Sequence, residues 1–360
     1  MIYAPPRPSE DLDEQLAELH ELRGRLGAEV TRPSRWIGSL RREVRASSIG
    51  GSTSIEGFSV DPAEVLALTS GQKRREPDDE NRRAVACYAR AMDHVGVLAA
   101  DPSFRWLDRV ILDLHFDACY FQREKDPGIW RTGPIAVTGP GGRLEYRGPA
   151  AEEVPQLIEE VVGWLAHDEG KTDVIVKAAL AHLNVVSIHP FRDGNGRIAR
   201  IVQSLVLARE GMISPEFSSI EEYLGEHTAD YYAALREAQG GGYSPERDTG
   251  AWVGFCVDAH IAQARWRLSQ IEAAAKRWAH LEGLVEGRGW PERLVIALEQ
   301  SLVGGSDRAT YVEEADVSPA SASNDFRRLL DSGLIEQTGR GRSTRYHASE
   351  RLREGVERAG

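Results

Sequence analysis

Residues 172–188, TDVIVKAALAHLNVVSI, are apolar on nearly every side when they are wound as a helix. They run directly into HPFRDGNGRIAR at 189–200. The polar residues Lys177, Asn184 and Ser187 cluster on one narrow strip. Because a helix that is apolar nearly all round is usually buried at the centre of a bundle, the sequence predicts a mainly α-helical fold built around this segment.

The segment 189–200 predicts a tight loop that leads into the first turn of another helix. Pro190 does not continue a helix comfortably, and Gly194, Asn195 and Gly196 tolerate left-handed or tight backbone. Such a loop at a helix N-terminus exposes unpaired N–H groups and the positive end of the helix dipole. The segment is therefore suited to bind an anion, and phosphate above all.

Charged side chains accompany this loop. Arg197 and Arg200 are about one helical turn apart, so both guanidinium groups can reach the same anion. Asp193 is the residue type that holds Mg²⁺ beside a polyphosphate. His189 stands at the loop entrance, and its ordinary pKa of about 6.5 suits it to take a proton from a hydroxyl. Together they indicate a nucleotide-phosphate site for phosphoryl or nucleotidyl transfer to a hydroxyl.

A plainer explanation exists for any one of these residues. A His-Pro followed by a Gly/Asn turn can simply connect two helices, with its arginines in solvent. Phe191 is best explained as an apolar plug that fixes the loop to the core. The seven polar and glycine residues at this spacing favour the phosphate site over the plain connection.

The stretch at 189–200 resembles the signature of the Fic family and matches its fixed positions throughout. The resemblance extends over about residues 5–285. It includes GPIAVTGPGGRLEYRGP at 133–149, whose central residues 134–147 resemble the family's flap hairpin. The resemblance implies transfer of AMP from ATP to a Ser, Thr or Tyr hydroxyl of a protein, with Mg²⁺ and release of pyrophosphate. It also implies that the flap holds the target by strand addition.

The resemblance assigns roles to the matching positions. His189 is expected to be the general base and Asp193 the Mg²⁺ ligand. The anion hole and phosphate contacts are expected from Gly194, Asn195, Gly196, Arg197, Ile198, Ala199 and Arg200. Tyr231 and Tyr232 resemble a tyrosine pair near the adenine, although packing within a helix explains them equally well.

The segment GSTSIEG at 51–57 is a second informative stretch. Ser52 and Glu56 are four residues apart and share a helix face, and Gly57 is a candidate C-cap. Beside a Fic signature, the segment resembles the family's inhibitory motif. A carboxylate that pairs with Arg200 would bring negative charge to the position of the γ-phosphate, so Glu56 is expected to hold the enzyme inactive. Whether Glu56 also serves the removal of AMP is left open.

The tail predicts three short helices at 291–302, 308–317 and 318–333, followed by a hairpin at 334–347, the pattern of a winged helix-turn-helix. Arg327 and Arg328 on the presumed recognition helix, and Arg340, Arg342 and Arg345 on the wing, suit phosphate contacts. Residues 291–347 nevertheless hold seven basic and nine acidic residues. Binding to DNA and docking of a protein or a second copy therefore both stay open.

The overall prediction is a Fic-type helical bundle with a β-hairpin flap and a C-terminal winged helix-turn-helix domain. Residues 1–100 are expected to form a helical region with the inhibitory motif (52–57), 101–285 the Fic core, and 286–360 the winged helix. The net charge of −12, three scattered cysteines and the absence of an apolar leader lead us to expect a cytoplasmic protein without membrane association.

Two other classes of function stay open. The first is transfer of UMP, a phosphoryl group or phosphocholine on the same site. The second is a DNA-binding regulator whose core senses nucleotide. The target protein is not specified by the sequence, and self-modification is included among the alternatives. His115 and His182 are interpreted as structural, hydrogen-bonded histidines.

Overall fold

The computed structural model describes residues 1–32, 34–69, 79–168, 170–211, 213–341 and 344–358, and these residues are mainly helical. The helices are α1 Glu10–Thr31, α2 Ile37–Ile55, α3 Pro62–Thr69, α4 Glu80–Ala100, α5 Asp108–Cys119, α6 Val154–His167, α7 Val174–Ile188, α8 Asn195–Glu210, α9 Pro215–Ser218, α10 Glu221–Glu226, α11 Thr228–Gln239, α12 Gly250–Glu286, α13 Leu294–Leu302, α14 Arg308–Glu314, α15 Pro319–Asp331 and α16 Glu350–Glu357. The strands are β1 Ala136–Thr138, β2 Leu144–Arg147, β3 Ile335–Thr338 and β4 Arg345–Ala348. None of the described helices is long and apolar enough to cross a membrane.

The chain folds into two compact units. The first consists of residues 1–28 and 45–265, and the second of residues 29–44 and 266–360. The second unit thus begins earlier than the domain boundary expected at 286, and it includes a segment from the N-terminal region.

The first unit is built around α7 and α8, which pack against each other. Every residue of α7 from Ala178 to Ile188 is buried, in agreement with the all-round apolar pattern. Helices α4, α5, α6 and α9 surround this pair. The mainly helical fold is therefore confirmed, and its centre is the segment that the hydrophobic pattern indicated.

Helix α2 continues through the small-residue stretch at 50–54 to Ile55, so Ser52 lies within it. Glycines inside a helix usually cost stability. At Gly51 the missing side chain permits a close helix contact, because a Cβ there would lie 2.5 Å from the backbone oxygen of Glu221. Gly51 therefore lets α2 approach α10 at backbone distance, with Gly225 facing it across the contact.

The predicted hairpin is present between α5 and α6. Strands β1 and β2 are antiparallel, with Val137 opposite Tyr146 and an irregularity between Val137 and Thr138. All three residues of β1 are exposed, whereas Tyr146 on β2 is buried. The outer side of β2 is covered at Arg147, whose N–H donates to Gly241 O at 3.1 Å.

The second unit contains the three helices and the hairpin that were predicted for the tail, namely α13, α14, α15, β3 and β4. Its core includes Phe326 and Tyr346, whose rings stack with centroids 4.0 Å apart. Helix α16 follows the hairpin and was not foreseen. Arg342 lies outside the described residues. The assignment of this unit as a winged helix stays a prediction.

Candidate nucleotide site

His189 ends α7 in a left-handed conformation, with φ at +52°. A non-glycine residue takes this conformation at a cost, and such strain persists only where the surroundings enforce it. Arg131 provides that enforcement. Its Nε donates to His189 O at 2.8 Å, and its backbone N–H donates to Pro190 O at 2.9 Å. The other guanidinium nitrogens donate to Gly133 O and Pro149 O, so Arg131 ties the histidine turn to the base of the hairpin.

The imidazole of His189 is held in one tautomer. Its Nδ1 lies 2.9 Å from Val186 O, which can only accept, so Nδ1 carries the proton and Nε2 presents a lone pair. Burial lowers the pKa of His189 below its ordinary value of 6.5. The ring is therefore neutral near pH 7, the state in which it can accept a proton.

The loop after His189 is fixed by contacts from Asn195 and His115. Asn195 Oδ1 accepts from Phe191 N and its Nδ2 donates to Phe191 O, both at 2.9 Å. The ring of His115 stacks on Phe191 at 3.5 Å between centroids. His115 Nε2 donates to Asp193 O at 2.9 Å, and its Nδ1 accepts from Gly128 N. Burial lowers the pKa of His115 to about 4, which keeps it neutral in this bridging role.

These contacts refine the roles expected from the sequence. The side chain of Asn195 is fully used in clamping the loop, so any contribution of this residue to an anion hole comes from its backbone N–H. Phe191 is completely buried and is the apolar plug that the sequence indicated. His115 is structural, as interpreted. So is His182, which is hydrogen-bonded to Gln203 and Tyr231 in the core.

The N-terminus of α8 faces a narrow space between the loop and α2. Gly194 caps the helix at a φ of +75°, and its N–H donates to Asp193 Oδ1 at 2.7 Å. A Cβ on Gly194 would lie 2.4 Å from Cys119 Sγ, and one on Gly196 would lie 2.4 Å from Glu56 Oε1. A Cβ at either position would require the facing side chain to move, and the left-handed φ of Gly194 favours glycine there. The first N–H groups of a helix have no partner within it and are available to an anion.

Arg197 is buried, with about 1% of its surface exposed. Its Nη2 donates to Gln122 Oε1 at 2.9 Å and lies 3.5 Å from Asp193 Oδ1. Its guanidinium group stands over the rings of Phe58 and Phe121 at 5.4 Å. Within the described residues, its Nε and Nη1 are buried and have no hydrogen-bond partner. Buried donors without partners are costly, so this side chain is prepared for an acceptor that comes from outside the protein.

Arg200 lies one turn further along α8 and is equally buried. Its Nε donates to Ser52 Oγ at 2.7 Å, and its Nη2 donates to Ser52 O at 3.1 Å and to Glu56 Oε1 at 2.8 Å. Burial by itself lowers the pKa of Arg200, but the Glu56 carboxylate outweighs it and the net pKa is raised. The Nη1 atom of Arg200 is buried without a partner in the described chain. Ser52 and Glu56 are thus brought to the signature helix, and Gly57, at a φ of +86°, follows the end of α2.

Asp193 has a partly exposed carboxylate beside these arginines. Among the described residues no three His, Cys, Asp or Glu side chains form a group that could hold a metal ion. A Mg²⁺ ion commonly binds one or two carboxylates together with substrate phosphates and water. The single carboxylate of Asp193 fits that arrangement, and it does not fit a metal held by the protein alone.

The two tyrosines of α11 occupy different environments. Tyr231 is buried, and its hydroxyl meets His182 Nε2 at 3.1 Å. Burial raises the pKa of Tyr231, and the neighbouring Arg200 opposes that rise. Tyr232 is 39% exposed, and its hydroxyl donates to Ile55 O at the end of α2. Burial raises the pKa of Tyr232, and Glu56 raises it further. Both tyrosines therefore lie close to Arg200 and Glu56, with Tyr231 buried and Tyr232 partly exposed.

Several residues of the site carried no clear signal in the sequence. The sequence pattern assigned no role at the site to Arg131, Gln122, Tyr88 or Glu221. Gln122 and Arg131 lie between α5 and β1, Tyr88 lies on α4 and Glu221 on α10. Only their contacts with the signature helix or its neighbours identify them.

The helical bundle thus brings together a glycine loop, two buried arginines and a histidine at the edge of the loop, the residues that the sequence predicted for a phosphate site. In a comparison with known proteins, residues 106–207 match the family model described as the Fic/DOC family.

Relatives and solved structures are also similar to this chain. A probable protein adenylyltransferase of Aquifex aeolicus is 36% identical over 115 residues, 32% of each protein. Protein adenylyltransferase fic-1 of Caenorhabditis elegans is 38% identical over 136 residues, 38% of this chain and 24% of that protein. The chain thus aligns with a third or less of the length of these relatives. A Fic family protein from Desulfovibrio desulfuricans has the same fold, with a TM-score of 0.62, 21% identity and coverage of 97% of this chain and 99% of that one.

Proposed function

We propose that this protein is an autoinhibited protein adenylyltransferase, which moves AMP from ATP to a Ser, Thr or Tyr hydroxyl of a protein. One observation carries the proposal. Arg197 and Arg200 are both buried beside the N-terminus of α8, and both keep guanidinium nitrogens without partners in the described chain. Two such cations and a helix N-terminus at one point form a receptor for several phosphate oxygens. The names of the relatives in the same family direct the proposal to ATP and AMP transfer.

His189 is the general base in this proposal. The target hydroxyl oxygen attacks the α-phosphorus of ATP, the bond from that phosphorus to the bridging oxygen breaks, and pyrophosphate leaves. The hydroxyl proton passes to Nε2 of His189, since Nδ1 is already engaged with Val186 O. Arg131 keeps the ring at the edge of the loop through His189 O.

Mg²⁺ is assigned to Asp193 together with the ATP phosphates. A bound Mg²⁺ would neutralise charge on the phosphates and help the pyrophosphate to leave. Asp193 would hold the ion through its partly exposed carboxylate.

The flap is proposed to hold the target segment by backbone pairing. Strand β1 is exposed along its whole length, whereas the far side of β2 is covered at Arg147. An extended peptide can therefore add to β1 only, which places its hydroxyl by main-chain hydrogen bonds and requires little of its sequence.

Glu56 is proposed to keep the enzyme off. Its carboxylate occupies Arg200 at 2.8 Å and lies against Gly196, so it stands where an anion would bind. While Glu56 is in place, ATP can bind only with its phosphates away from Arg200. The α-phosphorus is then not aligned for attack by the target hydroxyl.

The test is transfer of label from α-labelled ATP with Mg²⁺ to protein. We expect label with Glu56→Gly and none when His189→Ala is added. Absence of label from α-labelled ATP, together with transfer from UTP, γ-labelled ATP or a phosphocholine donor, would assign a different reaction to the same site. The target can be a second protein or the chain itself, and mass spectrometry of the labelled product distinguishes these cases.

DNA binding by the second unit is a second candidate, favoured by one observation. Helix α15 presents Asn324, Arg327 and Arg328 on its exposed side, which suits contacts to bases and phosphates. We expect salt-dependent binding of duplex DNA by the full chain, and its loss with Arg327→Ala and Arg328→Ala. Lack of DNA binding at low salt would indicate that the second unit serves to dock a protein or a second copy of the chain.

A further inference from the structure

A second carboxylate lies close enough to Arg200 to interact with its charge. It belongs to Glu221 at the start of α10, where only 2% of the residue is exposed. Glu221 Oε1 accepts from the hydroxyls of Tyr88 at 2.9 Å and Ser204 at 3.2 Å. Its Oε2 is buried without a hydrogen-bond partner in the described part of the chain. A buried acidic group of this kind is rarely retained without a charged group that it balances.

The charged group is Arg200. Ser204 lies four residues after Arg200 on α8, so both side chains face the same direction. The Tyr88 hydroxyl stands among Glu221, Arg200 and Ser52: burial raises its pKa, Glu221 raises it further, and Arg200 and the Ser52 hydroxyl oppose the rise. Ser52 Oγ in turn accepts from Arg200 Nε. The hydroxyls of Ser52 and Tyr88 therefore occupy the space between the guanidinium group and the buried carboxylate.

Arg200 thus has two carboxylates of different character. Glu56 is partly exposed and follows the end of α2, so it can leave. Glu221 is buried and its backbone is in contact with Gly51 of α2, so it cannot. When Glu56 leaves, a buried guanidinium group without any counter-ion would be strongly unfavourable until phosphate arrives.

We propose that Glu221 is the second, fixed counter-ion and positioning residue of Arg200, acting through Tyr88 and Ser52. It holds the guanidinium group in place while Glu56 leaves and the terminal phosphate of ATP takes its position. This deepens the proposed function, since it concerns the regulation and nucleotide affinity of the same site.

The ionisation of Glu221 depends on Arg200. Burial raises the pKa of Glu221 to about 7, while Tyr88, Arg200 and Ser204 counteract the rise. Departure of Glu56 leaves the charge of Arg200 less neutralised, which favours ionised Glu221 further. The counter-ion therefore becomes more fully charged at the moment when Arg200 needs it.

The first experiment measures ATP binding by calorimetry in the full chain carrying Glu56→Gly. Adding Glu221→Gln keeps the shape of the residue and removes its charge, and we expect the Kd for ATP to rise about tenfold, the effect of losing one well-placed charged contact. Tyr88→Phe keeps the charge and removes the intervening hydroxyl, and it is expected to weaken ATP binding in the same direction. Glu226→Gln, an exposed residue of the same helix, is the matched control and should leave the Kd unchanged. An unchanged or lower Kd in folded Glu221→Gln and Tyr88→Phe variants would overturn the proposal.

The second experiment needs no nucleotide and separates this inference from the proposed function. The free energy of unfolding is compared for the wild type, Glu56→Gln, Glu221→Gln and the double variant. We expect Glu221→Gln to be more destabilising when Glu56 is already replaced, because Arg200 then has no carboxylate left. Additive changes, like those expected with Glu226→Gln, would overturn the role of Glu221 as counter-ion. Failure of the Glu56→Gly variant to bind ATP would instead count against the proposed function.

Discussion

Glu56 Oε1 and Arg200 Nη2 are 2.8 Å apart, although 144 residues separate them in the chain. Arg200 is fully buried, whereas the Glu56 side chain keeps 20% of its surface exposed. The pair therefore joins a fixed cation to an anion that can be withdrawn. The free-energy contribution of such a hydrogen bond between charged groups, in a partly buried site, is about 1.5–3 kcal/mol.

The first prediction concerns removal of that anion. Glu56→Gly frees Arg200 for phosphate, and the energy of the contact corresponds to an increase of about 10- to 100-fold in transfer. The rate of label incorporation from α-labelled ATP measures it. Glu64→Gly, on the neighbouring helix α3 and away from Arg200, is the control. A rate equal to that of the wild type, with folding intact, would remove Glu56 as an inhibitor.

The second prediction concerns the contact between α2, which carries Ser52, and α10. A Cβ on Gly51 would lie 2.5 Å from Glu221 O, so Gly51→Ala must push α2 away from α10. We expect a lower melting temperature and a higher transfer rate, because Ser52 and Glu56 move with the helix. Gly50→Ala is the matched control, since its Cβ would meet only Val65 at 3.8 Å. If Gly51→Ala lowered both stability and transfer, displacement of α2 would not be a route to activation.

Local pattern was sufficient to predict much of this molecule. The apolar run at 174–188 predicted the central helix, and the glycine loop at 194–196 predicted the turn into α8. The contacts that complete the site depend on distant segments and could not be foreseen in this way. Glu221 and Tyr88 have no motif, and only the packing of α2, α4, α8 and α10 brings them to Arg200.

The third prediction concerns pH. Transfer requires neutral His189, and burial lowers the pKa of this residue below 6.5. The rate should therefore stay level as the pH falls through 6.5 and decline only at more acidic values, where the ring becomes protonated. A pH profile of the Glu56→Gly variant at saturating ATP measures it. An acidic limb centred above pH 6.5 would show that His189 is not held in the neutral form as described.

The last prediction concerns Arg131. This side chain donates to His189 O, Gly133 O and Pro149 O at 2.7–2.8 Å, so it sets the left-handed turn of the base. It makes no contact with the arginines that would bind phosphate. Arg131→Ala in the Glu56→Gly background should therefore lower kcat by about 100-fold, as expected when a reacting group is misplaced by about 1 Å.

Binding of ATP separates this effect from a general loss of structure. The Kd for ATP should change by less than about threefold in Arg131→Ala, because the helix N-terminus, Arg197 and Arg200 are untouched. Arg131→Lys retains one donor and is expected to recover part of the rate. Arg109→Ala, which removes an exposed arginine paired with Asp113 on α5, is the matched control. Equal losses of ATP binding and kcat would mean that Arg131 supports the whole loop, because a residue that positions only the base would leave phosphate binding intact.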